Sequence, residues 1–108
     1  MNEQIVFRNF HSQPVLIERI KKRAAKLEAI FPNIVALHVV VELTGFHHHR
    51  GNLFRTRVDV SVPGEKLVVS ENSRLDRSYV DPSVSIRDAF DAMERKLIEY
   101  SRWLKRVA

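Results

Sequence analysis

Residues 34–43 read Ile-Val-Ala-Leu-His-Val-Val-Val-Glu-Leu, and residues 53–62 read Leu-Phe-Arg-Thr-Arg-Val-Asp-Val-Ser-Val. Both stretches are rich in β-branched residues and alternate with a period of two, which predicts two strands. The side chains predicted to point inward are Val35, Leu37, Val39, Val41 and Leu43 in the first strand and Phe54, Thr56, Val58, Val60 and Val62 in the second. The sheet therefore has one buried face, whereas Arg55, Arg57 and Asp59 lie on a second face that meets water.

One strand precedes this pair in the sequence and another follows it. Residues 4–10, Gln-Ile-Val-Phe-Arg-Asn-Phe, are dominated by residues that favour strands. After the pair, residues 63–65, Pro-Gly-Glu, have the composition of a tight turn, and Leu67 and Val69 predict a short strand beyond it. The chain therefore predicts four strands, of which the last three follow each other directly.

The two remaining segments have the apolar spacing of amphipathic helices. The first predicted helix covers residues 14–31, with Ser12 as its N-cap and Pro32 at its end. The second covers residues 85–107 and begins within residues 81–85. Their apolar positions, three or four residues apart, are Leu16, Ile20, Ala24, Leu27 and Phe31 in the first helix and Ile86, Phe90, Met93, Leu97, Tyr100 and Leu104 in the second.

The resulting order, β-α-β-β-β-α, predicts an α+β fold. The first β-α-β unit predicts a right-handed crossover, which makes the first two strands parallel. Shorter connections join the later strands, so we expect these to be antiparallel. We therefore expect a four-stranded mixed sheet with two helices packed on one face, in a single domain that covers residues 1–108.

Two polar segments predict loops. Residues 44–52 have a glycine near each end and contain His47, His48 and His49, and residues 72–83 form the longest loop. Three adjacent imidazoles suggest a metal ion, but neighbouring residues of an extended segment point to opposite sides and seldom share one ion. We therefore expect no metal site, while a metal-binding regulator that uses this loop stays as an alternative interpretation.

The composition excludes several classes of protein. A chain of 108 residues without cysteine has no disulfide framework, no thiolate catalysis and no Cys-ligated zinc. No apolar run approaches the ~18 residues of a membrane span, and the N-terminus has no secretory signal, so we expect a cytoplasmic protein without a membrane partner. Because no Gly-flanked serine and no glycine-rich phosphate loop is found, we expect neither an enzyme nor a cofactor or small-molecule substrate.

Positive charge is concentrated in the predicted helices. The chain has 18 Lys and Arg against 13 Asp and Glu, which gives a net charge of +5. The first predicted helix carries five basic and two acidic residues, the second carries six and four, and the rest of the chain carries seven of each. The helices therefore predict a polyanionic partner, whereas the outer sheet face is expected to be charge-balanced.

A basic stripe, defined as Arg19, Lys22, Arg23 and Lys26, follows one flank of the first predicted helix. Its members stand at i, i+3, i+4 and i+7, and each of its four like-charged neighbour pairs disfavours an isolated helix by ~0.2–0.5 kcal/mol. We interpret a stripe kept at such a cost as a phosphate-binding surface. Trp103, near the end of the second helix, either stacks on a base or seals the core edge, and sealing is the commoner role.

Three segments resemble one known protein family. Residues 23–31, Arg-Ala-Ala-Lys-Leu-Glu-Ala-Ile-Phe, are similar to the family's K-x-x-K-L-E-x-x-F ending of its first helix. Residues 88–97, Asp-Ala-Phe-Asp-Ala-Met-Glu-Arg-Lys-Leu, are similar to its A-A-I-D-x-x-x-x-K-L, and residues 39–42, Val-Val-Val-Glu, also match. The chain thus resembles the ribosome hibernation-promoting factor and ribosome-associated inhibitor family, also labelled sigma-54 modulation or S30EA-like proteins.

The resemblance implies a non-catalytic regulator of translation in starved or stationary-phase cells. Such proteins occupy the decoding region of the small ribosomal subunit, contact rRNA phosphates with basic helix residues, and block tRNA and mRNA. By motif, the resemblance implies rRNA-binding roles for Arg23, Lys26 and Lys96, and the basic stripe adds Arg19 and Lys22.

The resemblance also bears on assembly. The chain stops at the end of its last predicted helix, which implies a short form without the family's C-terminal dimerisation domain. We expect a monomer or weak dimer, because no exposed apolar stripe remains once the helices cover the sheet. A different RNA-binding or protein-interaction module on the same fold is the alternative.

Overall fold

A computed structural model describes residues 1–47, 51–72 and 81–107. Its elements are β1 (Asn2–Arg8), α1 (Pro14–Ile30), β2 (Ala36–His47), β3 (Gly51–Val62), β4 (Glu65–Asn72) and α2 (Pro82–Val107). The strands form a four-stranded sheet in the order β1-β2-β3-β4, so spatial order follows chain order. The α+β class, the element order and the mixed sheet are therefore confirmed.

Strand pairing follows the connections between the strands. β1 runs parallel to β2, from Asn2 opposite Ala36 to Arg8 opposite Glu42, because α1 returns the chain to the same end of the sheet. β2 with β3 and β3 with β4 are antiparallel. The turn between β3 and β4 depends on Gly64, whose φ of 81° lies in the left-handed region that favours glycine.

The core lies between the sheet and the two helices. Both predicted apolar stripes face it, and the largest fully buried side chains are Phe90, Ile20, Leu27, Leu37, Ile86, Met93, Leu97, Val39, Val41, Val58 and Val60. Val35, predicted to point inward, is exposed and its neighbour Ile34 is buried instead, so the alternation of β2 does not extend to residue 35. Packing of two helices against one apolar sheet face is confirmed, and the opposite face carries the charged side chains of β3.

The prediction of a loop over residues 44–52 is wrong for most of these residues, which lie in strands. β2 continues to His47 and β3 begins at Gly51, so the two strands form a longer ribbon than their apolar alternation indicates. The pairing shifts register between Leu43 and Gly45, as a β-bulge does. His48 and His49 lie outside the described residues, as do residues 73–80 of the predicted longest loop.

The N-cap predicted for α1 is wrong, although the helix begins at Pro14 as predicted. The N-cap is Gln13 rather than Ser12, and its side chain makes no capping hydrogen bond, since Pro14 already fixes the first helical turn. At α2, Asp81 takes the capping role, because its Oδ1 accepts the backbone N–H of Ser83 at 2.9 Å. α2 therefore begins at Pro82, within the range of residues 81–85 that the sequence predicts.

Within the described part of the chain, neither helix has the combination of length and apolar character that crossing a bilayer requires.

Candidate nucleic-acid interface

The basic stripe lies on the flank of α1 that is turned toward α2. Leu16, Ile20, Ala24 and Leu27 fix the buried side of the helix, and the stripe follows directly beside it. Arg19, Lys22 and Lys26 are exposed, with 76% of the Lys22 side chain and 66% of the Lys26 side chain open to solvent. Three cations of the stripe are therefore accessible to a ligand.

Arg23 differs from the other members of the stripe. One guanidinium nitrogen, Nη2, lies 2.6 Å from Oδ1 of Asp91 and 3.2 Å from Oε1 of Glu94, both on α2. The guanidinium carbon also lies 5.7 Å from the ring centre of Phe90, and only 18% of the side chain is exposed. Arg23 therefore joins the two helices rather than projecting into solvent.

These acids change the electrostatic balance of the stripe. Glu94 also lies 3.8 Å from Nζ of Lys26, and Glu18 lies 3.6 Å from Nζ of Lys22. Repulsion along α1 is thus offset by Asp91 and Glu94 from the neighbouring helix, which the sequence of α1 alone does not reveal. Because the Lys22 and Lys26 pairs are largely exposed, they contribute little and leave both lysines free to exchange partners.

A groove of about 310 Å³ opens between α1 and the start of α2. Arg19, Lys22, Arg23 and Arg87 line it together with Ser83, Val84 and Ile86. Arg87 is exposed and was not among the residues predicted for this site. The sequence did not identify Arg87 because the first residue of α2 was uncertain. Without that residue, the side of the helix on which Arg87 lies could not be assigned.

The N-terminus of α2 at this groove already holds a negative charge. The hydrogen bond from the backbone N–H of Ser83 to the Asp81 carboxylate lowers the pKa of Asp81, and the nearby positive charge of Arg19 acts in the same direction. Asp81 thus remains ionised and satisfies the partial positive charge of the helix end. The affinity of the groove for anions must therefore come from its cationic side chains.

Lys96, the remaining predicted site residue, lies apart from the basic stripe. Its Nζ donates a hydrogen bond to the carbonyl oxygen of Val68 in β4, at 3.0 Å. It stands two positions after Glu94, which places it on the opposite flank of α2. The structure therefore brings together Arg19, Lys22 and Arg23, continues toward Lys26, and does not bring Lys96 to the same surface.

The outer sheet face is not charge-balanced as the sequence suggested. In its described part, the four basic residues Arg8, Arg55, Arg57 and Lys66 stand against two acidic ones, Glu42 and Asp59. Arg55 lies 3.0 Å from Glu42. This face is therefore a second, weaker basic surface. A count of charges over whole segments misses its excess of positive charge, because only side chains on one side of the strands contribute to the face.

Asp59 is the centre of an ion-pair network on that face. It is only 7% exposed, with Arg57 Nε at 2.9 Å from Oδ1 and Lys66 Nζ at 3.3 Å from Oδ2. Burial alone raises the pKa of Asp59, but the hydrogen bonds and charges of Arg57 and Lys66 outweigh burial and lower it. Asp59 therefore stays ionised and holds these two cations beside the sheet.

The described residues contain no group of three or more His, Cys, Asp or Glu side chains that could hold a metal ion. Of the three adjacent histidines, two lie outside that part of the chain, so the metal-binding alternative stays untested. The exposed cations in a row beside the groove are instead suited to binding an extended polyanion.

A family model identifies the family of this chain, and two solved structures share its fold. A family model described as sigma 54 modulation protein / S30EA ribosomal protein matches residues 4–105. The N-terminal domain of Thermus thermophilus Protein Y is similar in structure, with a TM-score of 0.74, 22% sequence identity, and coverage of 93% of this chain and 99% of that chain. A ribosomal subunit interface protein from Coxiella burnetii has a TM-score of 0.76, 16% identity, and coverage of 94% and 99%. Among curated protein sequences, none matches this chain.

Proposed function

Because this chain belongs to the family of sigma 54 modulation proteins and S30EA ribosomal proteins, we propose that it binds the small ribosomal subunit and keeps idle ribosomes inactive. The protein acts without catalysis, in the cytoplasm, by occupying rRNA that tRNA and mRNA need. Its role is to inhibit translation and protect ribosomes under stress or in stationary phase.

The observation that carries this proposal is the row of exposed cations beside the groove between the helices. Arg19, Lys22 and Lys26 span seven residues of α1, or about 10 Å at ~1.5 Å per residue. That length corresponds to about three successive phosphates at ~3.4 Å of rise per nucleotide of one strand. Arg87 adds a fourth exposed cation on the other side of the groove.

The predicted site residues divide into three roles in this proposal. Arg19, Lys22 and Lys26 contact rRNA phosphates directly, because their side chains are exposed. Arg23 holds α1 against α2 and also lines the groove. Lys96 contacts rRNA from the other flank of α2, at the cost of its hydrogen bond to β4.

Sedimentation through a sucrose gradient tests the proposal. Purified protein is mixed with separated small and large ribosomal subunits in low salt, and translation in a cell-free extract is measured in parallel. We expect the protein to sediment with the small subunit and to inhibit translation, and the variant Lys22→Ala/Lys26→Ala to do both less well. A wild-type protein that stays at the top of the gradient, or that sediments only with the large subunit, overturns the proposal.

A further inference from the structure

Trp103, near the end of α2, is the largest exposed apolar side chain of the described residues. Its indole is 48% exposed, so Trp103 does not seal the core edge as the commoner role suggested. The chain contains one tryptophan. An indole left half in water is a costly feature unless a partner covers it, since aromatic side chains bury large apolar areas when they can.

The core holds the indole in place from one side. The Tyr100 ring lies 5.9 Å from the Trp103 ring at an interplanar angle of 32°, and Tyr100 in turn packs edge-to-face on Phe31 at 5.8 Å. Phe31 is buried at the end of α1. The three rings form a ladder that starts in the core and ends at the surface, so Trp103 is anchored without being covered.

Three cations lie on one flank of the exposed end of this ladder. Arg102, Lys105 and Arg106 are exposed and, together with Glu99, line one shallow surface depression next to Trp103. The ion pairs within 4.0 Å between described residues include none of these three cations. Arg106 lies one helical turn from Trp103, at i+3, and Glu99 lies one turn on the other side, at i−4. Three cations against one carboxylate outweigh the partial negative charge of the helix C-terminus.

We propose that Trp103 is a stacking platform for an unpaired base, and that Arg102 and Arg106 bind the phosphate on one side of that base, with Lys105 binding the strand farther along. An aromatic ring combined with adjacent cations is the chemistry that recognises single-stranded nucleic acid, because every base has a π-face and every nucleotide a phosphate. The choice of RNA rests on the proposed function. The surface is distinct from the basic stripe, which lies on the other helix and offers charge without an aromatic ring.

The single tryptophan makes the proposal directly measurable. Indole fluorescence is followed as the protein is titrated with a short oligoadenylate, and then with an abasic ribose-phosphate oligomer of the same length. Stacking predicts that oligoadenylate quenches the fluorescence and that the abasic oligomer, which offers the same phosphates, quenches it little. Equal quenching by both oligomers overturns the proposal, and so does equal quenching by an acidic peptide, which assigns the surface to a protein partner.

Variants separate stacking from charge. With a labelled oligoadenylate, anisotropy is expected to give a loss of affinity of about 5- to 150-fold for Trp103→Ala, in line with about 1–3 kcal/mol per stacked base. Trp103→Phe is expected to recover most of that loss. The matched control is Ile98→Ala, which removes another exposed apolar side chain of α2. If Ile98→Ala and Trp103→Ala lower affinity equally, the platform does not exist.

Two outcomes distinguish this inference from the proposed function. If the wild-type protein sediments with the small subunit but Trp103→Ala binds oligoadenylate as well as wild type does, the platform is refuted and the proposed function stands. If oligoadenylate stacks on Trp103 but the protein does not sediment with ribosomal subunits, the stacking platform is supported and the proposed function is refuted. Quenching that rises with protein concentration in the absence of RNA indicates self-association through Trp103 and also refutes the platform.

Discussion

Arg23 shows how one side chain can belong to both the proposed binding surface and the fold. It lines the groove with Arg19 and Lys22, yet two carboxylates of α2 and the ring of Phe90 hold its guanidinium. The planar guanidinium offers several N–H donors, so it can bond to acids on one edge and face a phosphate on the other. A lysine at this position would have a single point charge for both tasks.

Loss of Arg23 should therefore destabilise the protein, contrary to what like-charge repulsion along α1 predicts. We expect Arg23→Met to lower the free energy of unfolding by about 1–2 kcal/mol, because Glu94, only 21% exposed, loses its shorter ion pair. Lys22→Met, on the exposed side of the stripe, should change it by less than about 0.5 kcal/mol. Urea unfolding followed by circular dichroism measures both, and equal effects would contradict the bridging role of Arg23.

Asp59 gives the fold a pH dependence whose direction follows from its pKa. The pKa of this carboxylate in the folded protein lies below its ordinary value of 3.8, so the folded state releases its proton more readily than the unfolded state. Its contribution to stability is therefore complete above that value and disappears as the pH falls through the lower, folded-state pKa.

The variant Asp59→Asn tests this directly. At neutral pH we expect it to be less stable than wild type by about 1–3 kcal/mol, since a buried acceptor of charged hydrogen bonds is lost. The difference should begin to shrink as the pH falls below 3.8, where the unfolded chain binds the proton, and should be lost below the lower, folded-state pKa. Urea unfolding of both proteins from about pH 7 to about pH 2 supplies the measurement. A stability difference that is the same at every pH would mean that Asp59 acts through packing rather than charge.

At the scale of single elements, α1 has two sides with different tasks. Its apolar side packs against the sheet, its basic stripe faces the groove, and Lys21 projects away from both because it lies outside the stripe on the helical wheel. Lys21 has the same charge as Lys22, is also exposed, and lies next to it in the sequence. The chain thus supplies its own matched control for the location of phosphate contacts.

Salt dependence of binding to the small subunit should distinguish these two lysines. A direct phosphate contact contributes ~0.7–0.9 to the negative slope of log affinity against log salt concentration. We expect Lys22→Ala, and likewise Lys26→Ala, to reduce the slope by about that amount, and Lys21→Ala to change it much less. Affinities measured between ~50 and ~200 mM salt give the slope. If Lys21→Ala reduces the slope as much as Lys22→Ala does, binding depends on the overall charge of the protein and the basic stripe makes no specific phosphate contacts.

The individual elements also show how much of the fold can be predicted from the sequence. Period-two alternation in β3 placed Phe54, Val58 and Val60 in the core correctly, because one face of that strand is buried and the other is polar. The end of β2 was missed because a β-bulge lets Gly45 continue a strand where glycine usually signals a loop. Arg23 was missed as a bridge because its partners lie far along the chain, and only tertiary packing brings them near.

Asp91 illustrates the same limit. Arg95 stands at i+4 from it on α2, and that spacing suggests a pair along the helix. In the folded protein, Asp91 instead accepts a hydrogen bond from Arg23 on α1. Spacing within a helix identifies which side chains can meet, but competition from a neighbouring helix decides which of them do.

For the whole molecule, exposed apolar side chains are few and dispersed. The large ones in the described residues are Met1, Val15, Val35, Ile98, Trp103 and Val107. Of these, Trp103 and Val107 are neighbours at i and i+4, and two side chains cover far less than the roughly 1,000 Å² that a specific interface needs. The molecule is therefore suited to binding a charged partner rather than to pairing through a large apolar surface.

The scarcity of exposed apolar side chains also predicts the oligomeric state of the protein in solution. We expect a monomer, or a dimer weak enough to dissociate on dilution, in the absence of RNA. Light scattering over a range of protein concentrations gives the mass directly. A dimer whose mass is unchanged on dilution would show that a surface regarded here as free is an interface, with the open edges of β1 and β4 the first places to look.

The parallel attachment of β1 has a consequence for the order in which the chain assembles. β3 and β4 are joined by a two-residue turn and can pair early, whereas β1 meets β2 only after α1 has folded back across the sheet. An element that docks last and at an edge is also the first to detach in the native state. Amide hydrogen exchange should accordingly report weaker protection for Ile5 and Phe7 than for Val58 and Val60, and the time course of refolding should show β1 becoming protected after the hairpin.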